Sequence, residues 1–118
     1  MANIFKVKTK ANVNNSAADT IYTVPSSGSG KTSVVLGLVL SNTTTNNIEA
    51  TVTLESDTAD TETNTTVTLL KNVAIPQAST LEMFAGQKLV LQKTDLIKAQ
   101  SNTASALDVA LSILEMDN

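Results

Sequence analysis

Apolar and polar residues alternate along much of this chain with a period of two. Ile48, Ala50, Val52 and Leu54 interleave with Glu49, Thr51, Thr53 and Glu55, and Leu107, Val109, Leu111 and Ile113 interleave with Asp108, Ala110 and Ser112. Successive side chains of an extended strand point to opposite faces, so the pattern predicts strands with one face toward a core and one toward water. Val67 and Leu69 between Thr66 and Thr68 read the same way. Residues 32–40 are apolar on both faces, which predicts a central strand covered on both sides. Residues 96–100 suit a helical turn or a strand, and the strand is preferred. Residues 104–111 look helical in composition, but their strict alternation makes them a strand.

Turn-forming residues punctuate these segments at 25–30, 41–47, 56–64, 75–78, 85–87 and 101–103. About eight short strands, with turns every 8 to 12 residues or so, indicate a sandwich or barrel. The expectation is an all-β chain forming a single antiparallel β-sandwich, jelly-roll or immunoglobulin-like. No repeat and no linker divides it. Residues 16–118 form the sandwich domain, and residues 1–15 are an N-terminal arm or a first edge strand. Ile4, Phe5 and Val7 are apolar, yet they precede the turn-rich stretch 12–16 and stand apart from the sandwich pattern. They are candidate contacts to a neighbouring subunit or particle, reached by strand addition; otherwise they belong to an edge strand of the same domain.

Composition narrows the chemistry. The 118 residues suit one domain, and Thr, Ser and Asn supply 40 of them, as the wet faces of sheets would require. All eight basic residues are Lys, against eleven acidic ones, for a net charge of −3; Arg, His, Cys and Trp do not occur. Structural zinc, iron–sulfur clusters, a thiol nucleophile and a Ser-His-Asp relay are therefore out of reach. No guanidinium can clamp a phosphate, and an acidic chain binds polyanions poorly. No cofactor, no nucleic-acid partner and no enzymatic activity are expected. The start of the chain lacks the apolar core of a signal peptide, and the longest apolar run, residues 34–40, falls far short of the roughly 20 residues a membrane helix needs. Synthesis in a host cytoplasm and no membrane partner are the expectation.

Three constellations invite chemistry and each reads more simply. Gly28-Ser29-Gly30-Lys31-Thr32 resembles a phosphate-binding loop, but Pro25 stands where the pattern needs Gly and a strand follows where it needs a helix. It is read as a turn. Glu49, Glu55, Asp57, Asp60 and Glu62 make an acidic group without calcium-loop spacing, read as a solvated loop tip. Glu82 and Asp95 could approach one another, yet no nucleophile or sugar platform accompanies them. Tyr22, Phe5 and Phe84 are expected as core or interface anchors.

A series of elements in order carries a resemblance. Ile21-Tyr22-Thr23-Val24-Pro25 leads through a Gly/Ser turn to Lys31-Thr32-Ser33-Val34-Val35-Leu36-Gly37-Leu38-Val39-Leu40-Ser41-Asn42. Val73-Ala74-Ile75-Pro76, Ser79-Thr80-Leu81-Glu82 and Gly86-Gln87-Lys88-Leu89-Val90-Leu91 follow, then Asp95 with Ile97-Lys98-Ala99, and Leu107 through Glu115 at the end. Over residues 20–115 the chain resembles small β-sandwich virion structural proteins of tailed bacteriophages, especially those of marine and cyanobacterial hosts. The resemblance implies a non-catalytic subunit on the capsid surface or at the head–tail junction. The first expectation is a decoration (cement) protein, homo-oligomeric and located in the virion, whose partner is the major capsid protein. The nearest rival is a neck, collar or tail-associated subunit contacting neck or tail proteins. A carbohydrate- or host-surface-binding β module is a more distant rival, because aromatics are only 3% of the chain.

Overall fold

A computed structural model of the chain describes residues 3–25, 32–56, 64–84 and 88–116. They form nine strands: β1 (Asn3–Lys10), β2 (Asp19–Thr23), β3 (Thr32–Asn42), β4 (Ile48–Glu55), β5 (Val67–Ile75), β6 (Thr80–Met83), β7 (Leu89–Gln92), β8 (Leu96–Ser101) and β9 (Leu107–Met116). Among the described residues there is no helix. The pairing is that of one long hairpin folded on itself. β4 pairs with β5, β3 with both β6 and β7, β2 with β8, and β1 with β9, all antiparallel. Two further ladders, β3 with β9 and β4 with β8, sew the rolled hairpin into two sheets. The first sheet runs β1-β9-β3 with β6 and β7 beside β3, and the second runs β2-β8-β4-β5.

This nested order is that of a jelly roll, and of the two sandwich types expected it is the one observed. Eight strands were expected and nine occur because β6 and β7 share one position. β7 lies against Thr32–Val35 and β6 against Leu38–Ser41 of the same strand. Residues 96–100 fall within β8, as the strand reading had it.

The core lies between the sheets. Val35, Leu38 and Leu40 of β3 and Leu107, Val109, Leu111 and Ile113 of β9 meet Ile48, Ala50 and Val52 of β4 and Ile97 and Ala99 of β8. Val13, Val24 and Ile75 plug the ends. The second sheet turns Glu49, Thr51, Thr53, Lys98 and Gln100 outward, where Thr suits a pleated, wetted surface. Asn42 is the buried polar hub between the sheets. Its Nδ2 donates to the carbonyls of Asn46 at 2.7 Å and Ile75 at 3.0 Å, and its Oδ1 accepts from the Thr44 amide at 2.9 Å. The polar loop after β3 is thereby fastened to the end of β5.

Strand β3 is not covered on both faces as residues 32–40 had suggested. Ser33, Val35, Leu38, Leu40 and Asn42 are buried, while Val34, Leu36 and Val39 are only half-buried. The inward parity switches from odd to even because Val35 pairs with Ile113 and Gly37 with Ser112, leaving Leu36 as the extra residue of a β-bulge. Two alternating patterns of opposite phase, joined at Leu36, look like one continuous apolar run.

Two outcomes follow. Removing Leu36 restores plain alternation in β3, so the deletion is expected to fold with an unchanged far-UV circular dichroism spectrum. Removing Ala110 from the unbulged β9 forces half of its inward residues outward and is expected to abolish cooperative thermal unfolding. At the β7–β8 turn, Thr94 has φ of 71°, and its Oγ1 is buried without a hydrogen-bond partner. Left-handed backbone strains a β-branched residue, so Thr94→Gly is expected to raise stability by about 1–2 kcal/mol in denaturant titrations.

Candidate functional site

The candidate contacts Ile4, Phe5 and Val7 all lie on β1, the edge strand of the first sheet, which is paired with β9 from Asn3 to Lys10. Residues directly opposed in a ladder share a face. Ile4, Lys6, Lys8 and Lys10 oppose Glu115, Ile113, Leu111 and Val109, all buried, so they lie on the core side. Asn3, Phe5, Val7 and Thr9 oppose Met116, Leu114, Ser112 and Ala110 on the outer side. The usual polarity of an edge strand is reversed here. Phe5 is 73% exposed, Val7 60% and Ile4 43%. Phe5 and Val7 thus share a surface, whereas Ile4 is on the other side of the strand.

The inward lysines are accommodated by a polar cluster at the sandwich rim. Lys6 Nζ lies 2.9 Å from Glu115 Oε1, and the Tyr22 hydroxyl donates to Glu115 Oε2 at 2.6 Å. Tyr22 Oη and Ser33 Oγ are 2.7 Å apart, and Lys8 Nζ stands 6.0 Å from the centre of the Tyr22 ring. Burial pushes the Tyr22 hydroxyl far above its ordinary value of 10.0, and the neighbouring Glu115 carboxylate adds to this. Burial also pushes the Glu115 carboxyl upward, but the hydrogen bonds from Tyr22 and Lys6 and the charges of Lys6 and Lys8 outweigh it, and the net shift is downward. A buried carboxylate is thus held ionised by three groups, two of them on β1. The cluster pins the edge strand to the core.

On the outer side, register builds an apolar row across four strands. Phe5 opposes Leu114, Leu114 opposes Val34, and Val34 opposes Val90. Beside that ridge runs a low row, Val7–Ser112–Gly37, and a Cβ added at Gly37 would meet nothing within 4 Å. Thr9, Ala110, Val39 and Glu82 follow. Among the described strand residues of this face, only Glu82 and Asp108 are charged, both toward the same end. A depression of about 260 Å³ near Thr9, Val39, Ser41 and Asp108 marks that end.

The other sequence candidates do not assemble. Tyr22 is a core anchor, Phe84 is half-buried with φ of 66°, and Phe5 faces out. Glu82 faces Val39, whereas Asp95 follows β7 near the opposite end of β3. The Asp95 carboxylate is buried, accepting from the Gln92 amide at 3.0 Å and Ser56 Oγ at 3.1 Å, so it shapes the turn. Glu55 pairs with Lys98 at 2.8 Å, and Glu49 is exposed on β4. Asp57, Asp60, Glu62 and residues 28–31 of the phosphate-loop-like segment lie outside the described residues. Thr32 begins a strand, as the turn reading requires. Sequence reasoning missed the Lys6–Glu115–Tyr22 cluster and the part played by Val34, Leu114 and Val90. The lysine at every second position of β1 was the available signal.

The cluster has a pH signature. Because the folded Glu115 carboxyl lies below its ordinary 4.5, its stabilisation is complete above pH 4.5 and is lost as pH falls through the folded value. Glu115→Gln is expected to flatten that acid limb in thermal melts. Tyr22→Phe leaves the carboxylate one donor short and is expected to cost about 1–3 kcal/mol. Tyr22 is the single tyrosine in a chain without tryptophan, so tyrosinate absorbance reports it alone; it is expected to ionise only together with unfolding, above pH 10.0.

No family model matches the sequence, and no curated protein is significantly similar to it. Solved structures are similar in fold. A protein of the disulfide-linked pili of Bacillus endospore appendages aligns over 99% of this chain and 88% of its own, with 11% identity and a TM-score of 0.50. A chain of the infectious bursal disease virus Gx strain aligns over 96% of this chain at 8% identity with a TM-score of 0.53; this chain spans only 33% of its length. A capsid structure of the Helicobacter pylori bacteriophage KHP30 aligns over 100% and 90% of the two chains at 11% identity with a TM-score of 0.46. At such identities the first two likenesses establish the fold alone: a β-sandwich that also occurs in a virus particle and in a pilus.

Proposed function

We propose that this chain is a non-enzymatic structural subunit of a tailed-phage virion, acting as a decoration (cement) protein on the outer surface of the head. The observation that carries the reading is the reversed edge strand. A Thr-coated, acidic sandwich places three of the five exposed large apolar residues among those described, Phe5, Val7 and Val90, on one sheet face, with Ile4 and Val67 exposed elsewhere; a subunit built for assembly would carry such a face. The ordered resemblance across residues 20–115 supports the phage assignment, and the jelly roll is a fold of capsid domains. Its partners are then the major capsid protein and further copies of itself, with Ile4, Phe5 and Val7 among the contacts.

The mechanism is mass action. A subunit that binds the assembled shell and not its dissociated parts stabilises the shell by RT ln(1 + [L]/Kd), about 2.7 kcal/mol per site at a hundredfold excess over Kd. No residue need react. A disulfide-linked polymer, the assembly named for the endospore appendage protein, is out of reach for a chain without cysteine. A neck or collar subunit of the same fold would use the same surface, and position in the particle separates the two.

The test is localisation in an electron cryomicroscopy map of the particle, paired with heat-induced rupture of shells with and without added protein. Density repeated over the head lattice and a higher rupture temperature with added protein are expected. Density confined to the neck or tail would sink the decoration role, and absence from the particle would sink the virion role.

A further inference from the structure

We infer that the outer face of the β1-β9-β3-β7 sheet is a two-fold contact with a second copy of this chain. The inference rests on the structural-subunit reading above and specifies one of its partners. Strand addition along β1 is the obvious alternative, and β1 is built against it. One of its edges is taken up by β9, and Lys6, Lys8 and Lys10 line the core side of the other. Charges pointing inward on an edge strand are a device that blocks a further strand, because pairing would bury them. What β1 leaves available is its outward face, with Phe5 and Val7.

The occupant follows from charge, shape and area. Each copy carries a net −3, so two copies meet most readily where neither presents charge. The outer face of the second sheet fails this, presenting Glu49, Glu55 and Lys98. The face of the first sheet meets it from Phe5 across to Val90. Among the described strand residues, Glu82 and Asp108 lie toward the far end of this face; from Phe5 across to Val90 a charged partner finds no counter-charge, and that neutral strip meets its own image without penalty, as a two-fold interface demands. Ridge and valley are also self-complementary: the Phe5–Leu114–Val34–Val90 ridge lies beside the low Ser112–Gly37 row, where a Cβ at Gly37 would find open space. Rotation by a half-turn can lay each ridge over the other copy's valley. Three strands of about eight residues and the four residues of β7, about 4.8 Å apart and at about 3.3 Å per residue, make about 440 Å² of sheet plane. Side-chain relief adds to this, bringing it toward the roughly 800 Å² each partner buries in a standard interface.

The test is sedimentation equilibrium of the full chain over a wide concentration range, with Val90→Lys, Gly37→Glu and, as a control on the outer face of the other sheet, Thr68→Lys, at an exposed residue opposite Thr53. Circular dichroism verifies folding, and Gly37→Glu serves if Val90→Lys fails to fold, since the space beside Gly37 is open. The wild type is expected to dimerise, Val90→Lys and Gly37→Glu to raise the dimer dissociation constant at least about tenfold, and Thr68→Lys to leave it unchanged. A wild type that stays monomeric up to about 1 mM overturns the inference. So does a folded Gly37→Glu that dimerises like the wild type, or a Thr68→Lys as disruptive as the others. Co-sedimentation with particles separates this inference from the functional reading. If a monomeric wild type binds particles and Val90→Lys does not, the face belongs to the shell and the second-copy inference falls alone. If the wild type dimerises through this face and never binds particles, the decoration role falls and the inference stands.

Discussion

The ladder between β3 and β9 is the constraint on which the remaining arrangement depends. Ten residue pairs, from Thr32 with Met116 to Asn42 with Leu107, join the two longest strands at the centre of the first sheet. That register decides which side of β9 is inward, and β9 in turn decides the faces of β1. It also places Ser33 and Glu115 opposite each other and both buried, within reach of Tyr22 from the second sheet. A slip of one residue would bring Leu114 inward and Glu115 outward, breaking core and polar cluster together. The bulge at Leu36 lets both halves of β3 keep their inward residues against the unbulged strand.

Three of the buried polar residues have positional roles. Asn42 fastens a loop, Asp95 shapes a turn, and Glu115 holds an edge strand through Lys6 while accepting from Tyr22. Each is engaged by groups that hold it in one geometry. These contacts hold one loop, one turn and one edge strand in place. The apolar surface left over is concentrated on one sheet face, and that asymmetry between two otherwise similar faces is what gives the molecule an orientation in any assembly.

Much of the fold was legible because burial on one face writes a period of two into the sequence. The alternation at 48–55 and 107–113 appears in β4 and β9, and the preference for a strand at 96–100 holds in β8. The misreading at 32–40 has a definite cause: a bulge shifts the phase of the alternation, and two offset patterns mimic a strand buried on both sides. Pairing was illegible. Nothing local says that Lys6 faces Glu115, because the partner is specified by the whole winding of the chain, and Tyr22 and Glu115 stand 93 residues apart. The apolar residues of β1 were visible as a candidate contact, but its direction was not. Hydrophobicity alone would have turned Phe5 and Val7 inward and the lysines out.

The nested pairing also sets a timetable. The outer face is assembled from β1, β9 and β3, and its anchor across the rim, Asn12 to Asp108, spans 96 residues. Closing so long a loop costs entropy before any contact repays it, so folds dominated by such pairings form slowly. During synthesis, β1 waits for a partner strand made about a hundred residues later, and until then the outer face of the first sheet is incomplete. The apolar row from Phe5 to Val90 is closed in one step, when β9 fills its place between β1 and β3.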